Sequence, residues 1–153
     1  MKSITQVLTF VLAVAFMALP IMAVAGSTAY STVGAGGYDL VSYHTGEKPQ
    51  RGNGNHVMVH EGVTYLFTSE ETKARFASDT DKYLPMYGGY CAYGVAVGKK
   101  FVGDPDVWAI VADRLYLNLD NKIQGLWSKD IPGHIKKANV NWPRIRTKEP
   151  ADL

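Results

Sequence analysis

The chain has 153 residues, with 46% hydrophobic and 20% charged side chains and a formal net charge of +2. That length suits one ordinary domain, and near-neutral charge argues against a dedicated nucleic-acid binder, which needs a basic face. A single cysteine excludes an intramolecular disulfide framework and any multi-cysteine zinc or iron–sulfur site.

Of the 16 Lys and Arg side chains only Lys2 lies in residues 1–25, and all 14 acidic ones lie beyond them. Lys2, the apolar stretch Val7–Met17, Pro20 and the small-x-small Ala23-Val24-Ala25 follow the order of a secretory signal peptide. Cleavage is expected near Ala25, giving a periplasmic or secreted protein that meets the membrane only through this segment. The longer apolar run from Val7 to Ala25, of about 19 residues, could also nearly span a bilayer as an uncleaved anchor. No cysteine near the site offers a lipoprotein anchor, and no Arg-Arg pair signals twin-arginine export.

Residues 26–37 are small and Gly-rich and read as a flexible lead-in. A short ordered segment, Tyr38–His44, precedes a loop at 46–55 dense in Gly, Pro and Asn. His56–His60 and Val63–Thr68 flank Glu61-Gly62 at hairpin spacing. Thr68 and Glu71 fit a capping box opening a helix to about Ser78, with a further helical turn over Asp79–Leu84. Gly88–Gly98 reads as a buried helix of poor propensity. Trp108–Val111 and Leu115–Leu119 form a second hairpin, and Asp120–Lys129 a helix capped by Asp120. A last short helix runs from Pro132 through Ala138. Trp142-Pro143 is expected to fold back on the core, with Thr147–Leu153 frayed. The expected fold is α+β: a single small domain of two β-hairpins with several short helices. No internal repeat is visible. Residues 38–143 form the recognisable domain and 144–153 a tail.

Tyr65-Leu66-Phe67-Thr68-Ser69-Glu70-Glu71, with Phe76 and Asp79…Tyr83, resembles the centre of the YHS domain. A wider ordered pattern resembles its secreted subgroup. It comprises Tyr38-Asp39, Tyr43, Gly62, Tyr87-Gly88-Gly89-Tyr90-Cys91-Ala92, Asp104-Pro105, Trp108-Ala109-Ile110-Val111, Leu115-Tyr116-Leu117-Asn118, Trp127, Lys129-Asp130-Ile131-Pro132-Gly133 and Asn141-Trp142-Pro143. The resemblance implies a metal-associated module, handling copper or zinc. The metal-handling versions carry cysteines around the strand–helix junction, whereas Phe67–Thr72 here holds no thiol. Selenoproteins among the secreted relatives imply redox chemistry at a cysteine position instead.

Cys91 leads the candidate site residues. In the first turn of a helix it would gain a lowered thiolate pKa, suited to Cu(I), a mixed disulfide or sulfenic acid; packed among Tyr87, Tyr90 and Tyr93 it would be a small buried hydrophobe. His56, Met58 and His60 share one strand face and offer copper-type ligands, on a face that also reads as core. His44 is a further metal candidate. Asp39 could orient a histidine or close an Asp-turn. His134 is expected at a helix terminus or in solvent. Nine tyrosines are a compositional excess, and Tyr65, Tyr87, Tyr90 and Tyr93 are candidates for a pocket that stacks on a small ligand, with core packing as the alternative. Gly34–Gly37 lacks the phosphate-loop lysine and the dinucleotide fingerprint, and no G-x-S-x-G or H-E-x-x-H occurs. The expectation is a binding module for a metal ion, copper first, or a small ligand near Cys91. The alternatives are a thiol-dependent redox enzyme and an envelope interaction module without a site of its own.

Overall fold

Strand alternation and two-residue turns set the framework. In the computed structural model, which describes residues 33–153, β1 (Asn53–His60) pairs antiparallel with β2 (Val63–Phe67). Glu61 and Gly62 between them both take positive φ, the geometry that matches strand twist. β3 (Asp104–Val111) pairs in the same way with β4 (Arg114–Asn118) through Ala112 and Asp113, also at positive φ. Five α-helices join them among the described residues: α1 (Glu70–Ser78), α2 (Thr80–Tyr83), α3 (Ala92–Ala96), α4 (Asn121–Trp127) and α5 (Ile131–Ile145). The architecture is a small α+β domain with two two-stranded sheets, as the sequence implies. The expected export segment and the start of the expected lead-in lie outside the described residues. No described helix is long and apolar enough to cross a membrane.

The two hairpins belong to two copies of one backbone plan, which the sequence reading missed. Ala35, Gly36 and Gly37 take φ of 47°, 59° and 83°; Tyr87, Gly88 and Gly89 take 58°, 63° and 83°. The Tyr38 N–H returns to Ala35 O at 3.1 Å, and the Tyr90 N–H to Tyr87 O at 3.1 Å. Gly52 N–H donates to Gly37 O at 2.9 Å, and Gly103 N–H to Gly89 O at 3.0 Å. Both hairpins carry the same register shift, between Asn53 and Val57 and between Asp104 and Trp108. Phe76 and Trp127 are the buried residues of the helices that follow, and Asp79 and Asp130 cap the next helices at φ/ψ of −153°/69° and −152°/69°. Few side chains repeat: Gly36-Gly37-Tyr38 with Gly88-Gly89-Tyr90, Gly52 with Gly103, Tyr65-Leu66 with Tyr116-Leu117. Backbone geometry, which few residue types dictate, carries the duplication.

β4 joins the two cores. Leu115 and Leu117 enter a cluster with Leu40, Tyr43, Phe67 and Phe76, while Tyr116 enters a second with Tyr87, Val95, Trp127 and Ala138. Period-two alternation on a strand buried on both faces explains the division. The first half also leans on β3, where Tyr38 Oη donates to the Asp106 carboxylate at 2.9 Å and Tyr43 Oη to Pro105 O at 2.9 Å.

Several local expectations change. α1 is capped by Ser69, whose Oγ accepts from Thr72 N–H at 3.2 Å; Thr68 is taken up by Asp39, and Glu71 pairs with Arg75. The expected helix over Gly88–Gly98 shortens to Ala92–Ala96, because positive φ at Gly88 and Gly89 and extended backbone at Tyr90 break it. α5 does not stop at Ala138. Asn141 Nδ2 donates to Val95 O and Ala96 O at 3.0 and 3.1 Å, Ile145 is buried, and Pro143 falls in the last turn, where one lost bond is tolerated. The tail is tied down by Lys100 and by Leu153 against the second cluster. Gly34–Gly37 forms a 3₁₀ turn with Gly37 buried, and Val33 bridges Thr64, so this end of the lead-in is packed.

Candidate functional site

Cys91 is 0% exposed. It lies before α3 as its N-cap, its Sγ accepting the Gly94 N–H at 3.3 Å and donating to Asn118 Oδ1 at 3.7 Å. Its own N–H bonds Phe101 O at 2.8 Å, and it bridges Leu117 of β4. The thiol is a packed capping group, and solvent does not reach it.

The other metal candidates are dispersed. His56 Nδ1 lies 2.9 Å from Glu70 Oε1, Met58 packs on the first core cluster, and His60 meets Phe76 edge-on at 6.3 Å. All three lie on β1 of the first half, while Cys91 belongs to the second. His44 stacks edge-on with Tyr83 at 5.2 Å, and its Nδ1 lies 3.3 Å from Asp113 Oδ1. Its Nε2 is buried with no hydrogen-bond partner among the described residues. Asp113 also pairs with Lys82 at 2.8 Å, so the β3–β4 turn latches onto the first half here. Among the described residues no group of three His, Cys, Asp or Glu side chains could hold a metal ion. Asp39 is an Asx-turn residue, its carboxylate accepting from Val41 N–H, Thr68 N–H and Thr68 Oγ. His134 Nδ1 sits 2.9 Å from Trp127 O.

The four pocket tyrosines separate. Tyr65 packs against Phe76 in the first core, and burial pushes its phenol up to about 12. Tyr87 donates to Asn139 Oδ1 at 2.8 Å, with burial raising its pKa well above the ordinary value. Tyr93 stacks on His134. Tyr87 and Tyr90 both meet Trp142, and of the four only Tyr90 borders an open groove.

That groove, of about 690 Å³, is bordered by Tyr90, Phe101, Val102 and Leu119, with Lys100 set into it and Asp104 and Glu149 at its rim. Phe101, Val102 and Leu119 are 47%, 46% and 40% exposed, unusual for three large apolar side chains gathered in one place. Gly103 fits the wall closely: a Cβ there would stand 2.6 Å from Leu117 Cβ and 2.7 Å from Gly89 O. Lys100, only 4% exposed, donates through Nζ to Arg146 O at 3.2 Å and Lys148 O at 2.6 Å, and lies 4.7 Å from the Tyr90 ring centroid.

The duplicated backbone supplies an internal comparison. Where the second half has Phe101, Val102 and Leu119, the first has Gln50, Arg51 and Thr68. Arg51 covers the Tyr38 ring at 4.5 Å and donates to Gly36 O at 3.1 Å. In the second half Lys100 supplies the cation over Tyr90, leaving position 102 apolar. The fold therefore accepts polar side chains at these positions, and the apolar lining is particular to this groove. Sequence reading passed over Lys100, Phe101, Val102 and Leu119 because each was read by type; aligning the two Gly-Gly-Tyr motifs and the two hairpins would have exposed the exchange.

No family model, curated protein or solved structure matches this chain.

Proposed function

We propose that the chain is an exported, YHS-like binding module that holds a small, largely apolar ligand in the groove beside Tyr90 and does not turn it over. The observation that carries the reading is the convergence of Phe101, Val102 and Leu119, exposed on a backbone whose first copy bears Gln50, Arg51 and Thr68 at the same places. The groove's volume falls in the range of small-molecule sites, and an aromatic wall beside aliphatic side chains suits an aliphatic or aromatic body. A ligand here lies near Cys91, since Tyr90 precedes it and Phe101 O accepts its N–H, but contacts the wall and not the sulfur. Thiol redox chemistry draws less support because it needs a reachable thiolate, and copper capture because the thiol is buried and the histidine and methionine candidates lie apart from it.

A neutral fluorescent probe, N-phenyl-1-naphthylamine, tests the reading with the mature chain. Enhanced, saturable emission that is lost in Phe101→Gln/Leu119→Thr, with unchanged circular dichroism, is the expected result. Equal binding by that variant would remove the groove as the site.

A further inference from the structure

An ammonium carries three N–H donors. Lys100 spends two of them on Arg146 O and Lys148 O, and the third has no hydrogen-bond acceptor among the described residues. Among the described residues its direct contacts are the Arg146 and Lys148 carbonyls just past α5 and the Tyr90 ring face, with Glu149 acting only from a distance. No carboxylate among the described residues comes within ion-pair distance of Nζ. Asp104 and Glu149 stand at the rim on exposed residues, where water screens them. The groove thus combines an apolar lining with one buried, incompletely neutralised cation.

Building on the ligand-groove reading, we propose that the occupant is a single-chain amphipathic anion, of the fatty-acid type. Its aliphatic body lies along Phe101, Val102 and Leu119, and its carboxylate accepts the remaining Lys100 N–H. Burial holds the Lys100 ammonium below its ordinary pKa, with Glu149 only partly opposing this, so an anion that reaches it relieves a cost already present in the fold. A charge-assisted hydrogen bond in a water-poor site favours the carboxylate over an isosteric alcohol. The groove has the volume of one small amphiphile, which favours a free chain over a bilayer surface.

The test is displacement of N-phenyl-1-naphthylamine from the mature chain by dodecanoate, dodecan-1-ol and dodecylammonium, each below its micelle concentration. Dodecanoate is expected to bind about tenfold more tightly than the alcohol, with the ammonium weakest. Lys100→Met should abolish that preference while leaving alcohol binding. Because Lys100→Met also frees the tail, Leu119→Thr is the second variant. It installs the first half's own residue and should weaken all three ligands together, with an unchanged fold. Equal affinity for acid and alcohol, or a preference for the ammonium, would overturn the anion while leaving the groove reading standing. Binding of anionic phospholipid vesicles without binding of monomeric dodecanoate would also overturn it. Failure of probe and all three amphiphiles to bind would remove both.

Discussion

Asp39 and Cys91 stand at the same point of the two half-domains, each following the tyrosine of a Gly-Gly-Tyr turn. Each side chain accepts a backbone N–H just downstream, from Val41 at 3.0 Å and from Gly94 at 3.3 Å. Each also reaches the end of its own hairpin: the Asp39 carboxylate takes the Thr68 N–H and Oγ at 2.9 and 2.8 Å, while the Cys91 thiol meets Asn118 Oδ1. The position is a structural clamp in both halves, built once with a charge and once with a thiol.

Removing the charged clamp leaves Thr68 and Val41 donors unpaired in the core. Asp39→Ala is expected to lower stability by about 3 kcal/mol. Urea denaturation checks this as a fall in midpoint at unchanged m-value.

The thiol clamp makes a chemical prediction. Cys91 should resist a disulfide reagent such as dithionitrobenzoate in the native protein and react fully once urea unfolds it. Cys91→Ser, which keeps an acceptor for Gly94 and a donor for Asn118, should fold with a loss of about 1 kcal/mol. Rapid labelling of the native protein would return Cys91 to consideration as a reactive group.

The seam between the halves should respond to acid through His44. Burial holds its pKa below the ordinary 6.5, although the Asp113 carboxylate pulls the other way. The unfolded chain therefore takes up a proton near pH 6.5 that the folded chain does not. This contribution to stability is complete above that pH, falls as pH drops from there towards the folded pKa, and is constant below it. Asp113 acts in a lower window. Lys82 first, then His44, hold its pKa below the usual aspartate value, so its contribution persists above about 3.8 and is lost in stronger acid. Midpoints for the parent and His44→Gln, measured from pH 7.5 to 5, should converge as pH falls; parallel curves would exclude His44 as the titrating group.

Gly103 should be irreplaceable where Gly54 is not. An added Cβ at 103 meets Leu117 Cβ and the Gly89 carbonyl inside 3 Å, and neither belongs to a flexible side-chain end, whereas one at Gly54 meets nothing within 4 Å. Gly103→Ala is expected to cost about 2 kcal/mol through overpacking, and Gly54→Ala to change stability by less than about 0.5 kcal/mol. Thermal denaturation of the two variants measures the difference.

Both hairpins were legible because Glu61-Gly62 and Ala112-Asp113-Arg114 separate apolar segments at turn spacing, and Asp120 announced α4 as its cap. The resemblance to YHS proteins rests on ordered motifs and stands as a proposal. Less legible were features fixed by contact. Gly88 and Gly89 at positive φ break a stretch that composition presents as one helix, and Asn141 extends α5 by binding the carbonyls of a different helix. The duplication escaped notice because left-handed turns and strand registers can repeat under unlike side chains. The groove escaped with it, since Phe101 and Leu119 look like core residues until their places are compared with Gln50 and Thr68.

Backbone chemical-shift mapping of the isotope-labelled chain, titrated with N-phenyl-1-naphthylamine, tests the central claim most directly. The account expects the largest perturbations at Tyr90, Lys100–Asp104, Leu119 and Glu149, with Gln50, Arg51 and Thr68 unmoved as the built-in control. Perturbations centred on the first half, spread evenly, or absent at saturating probe would contradict it.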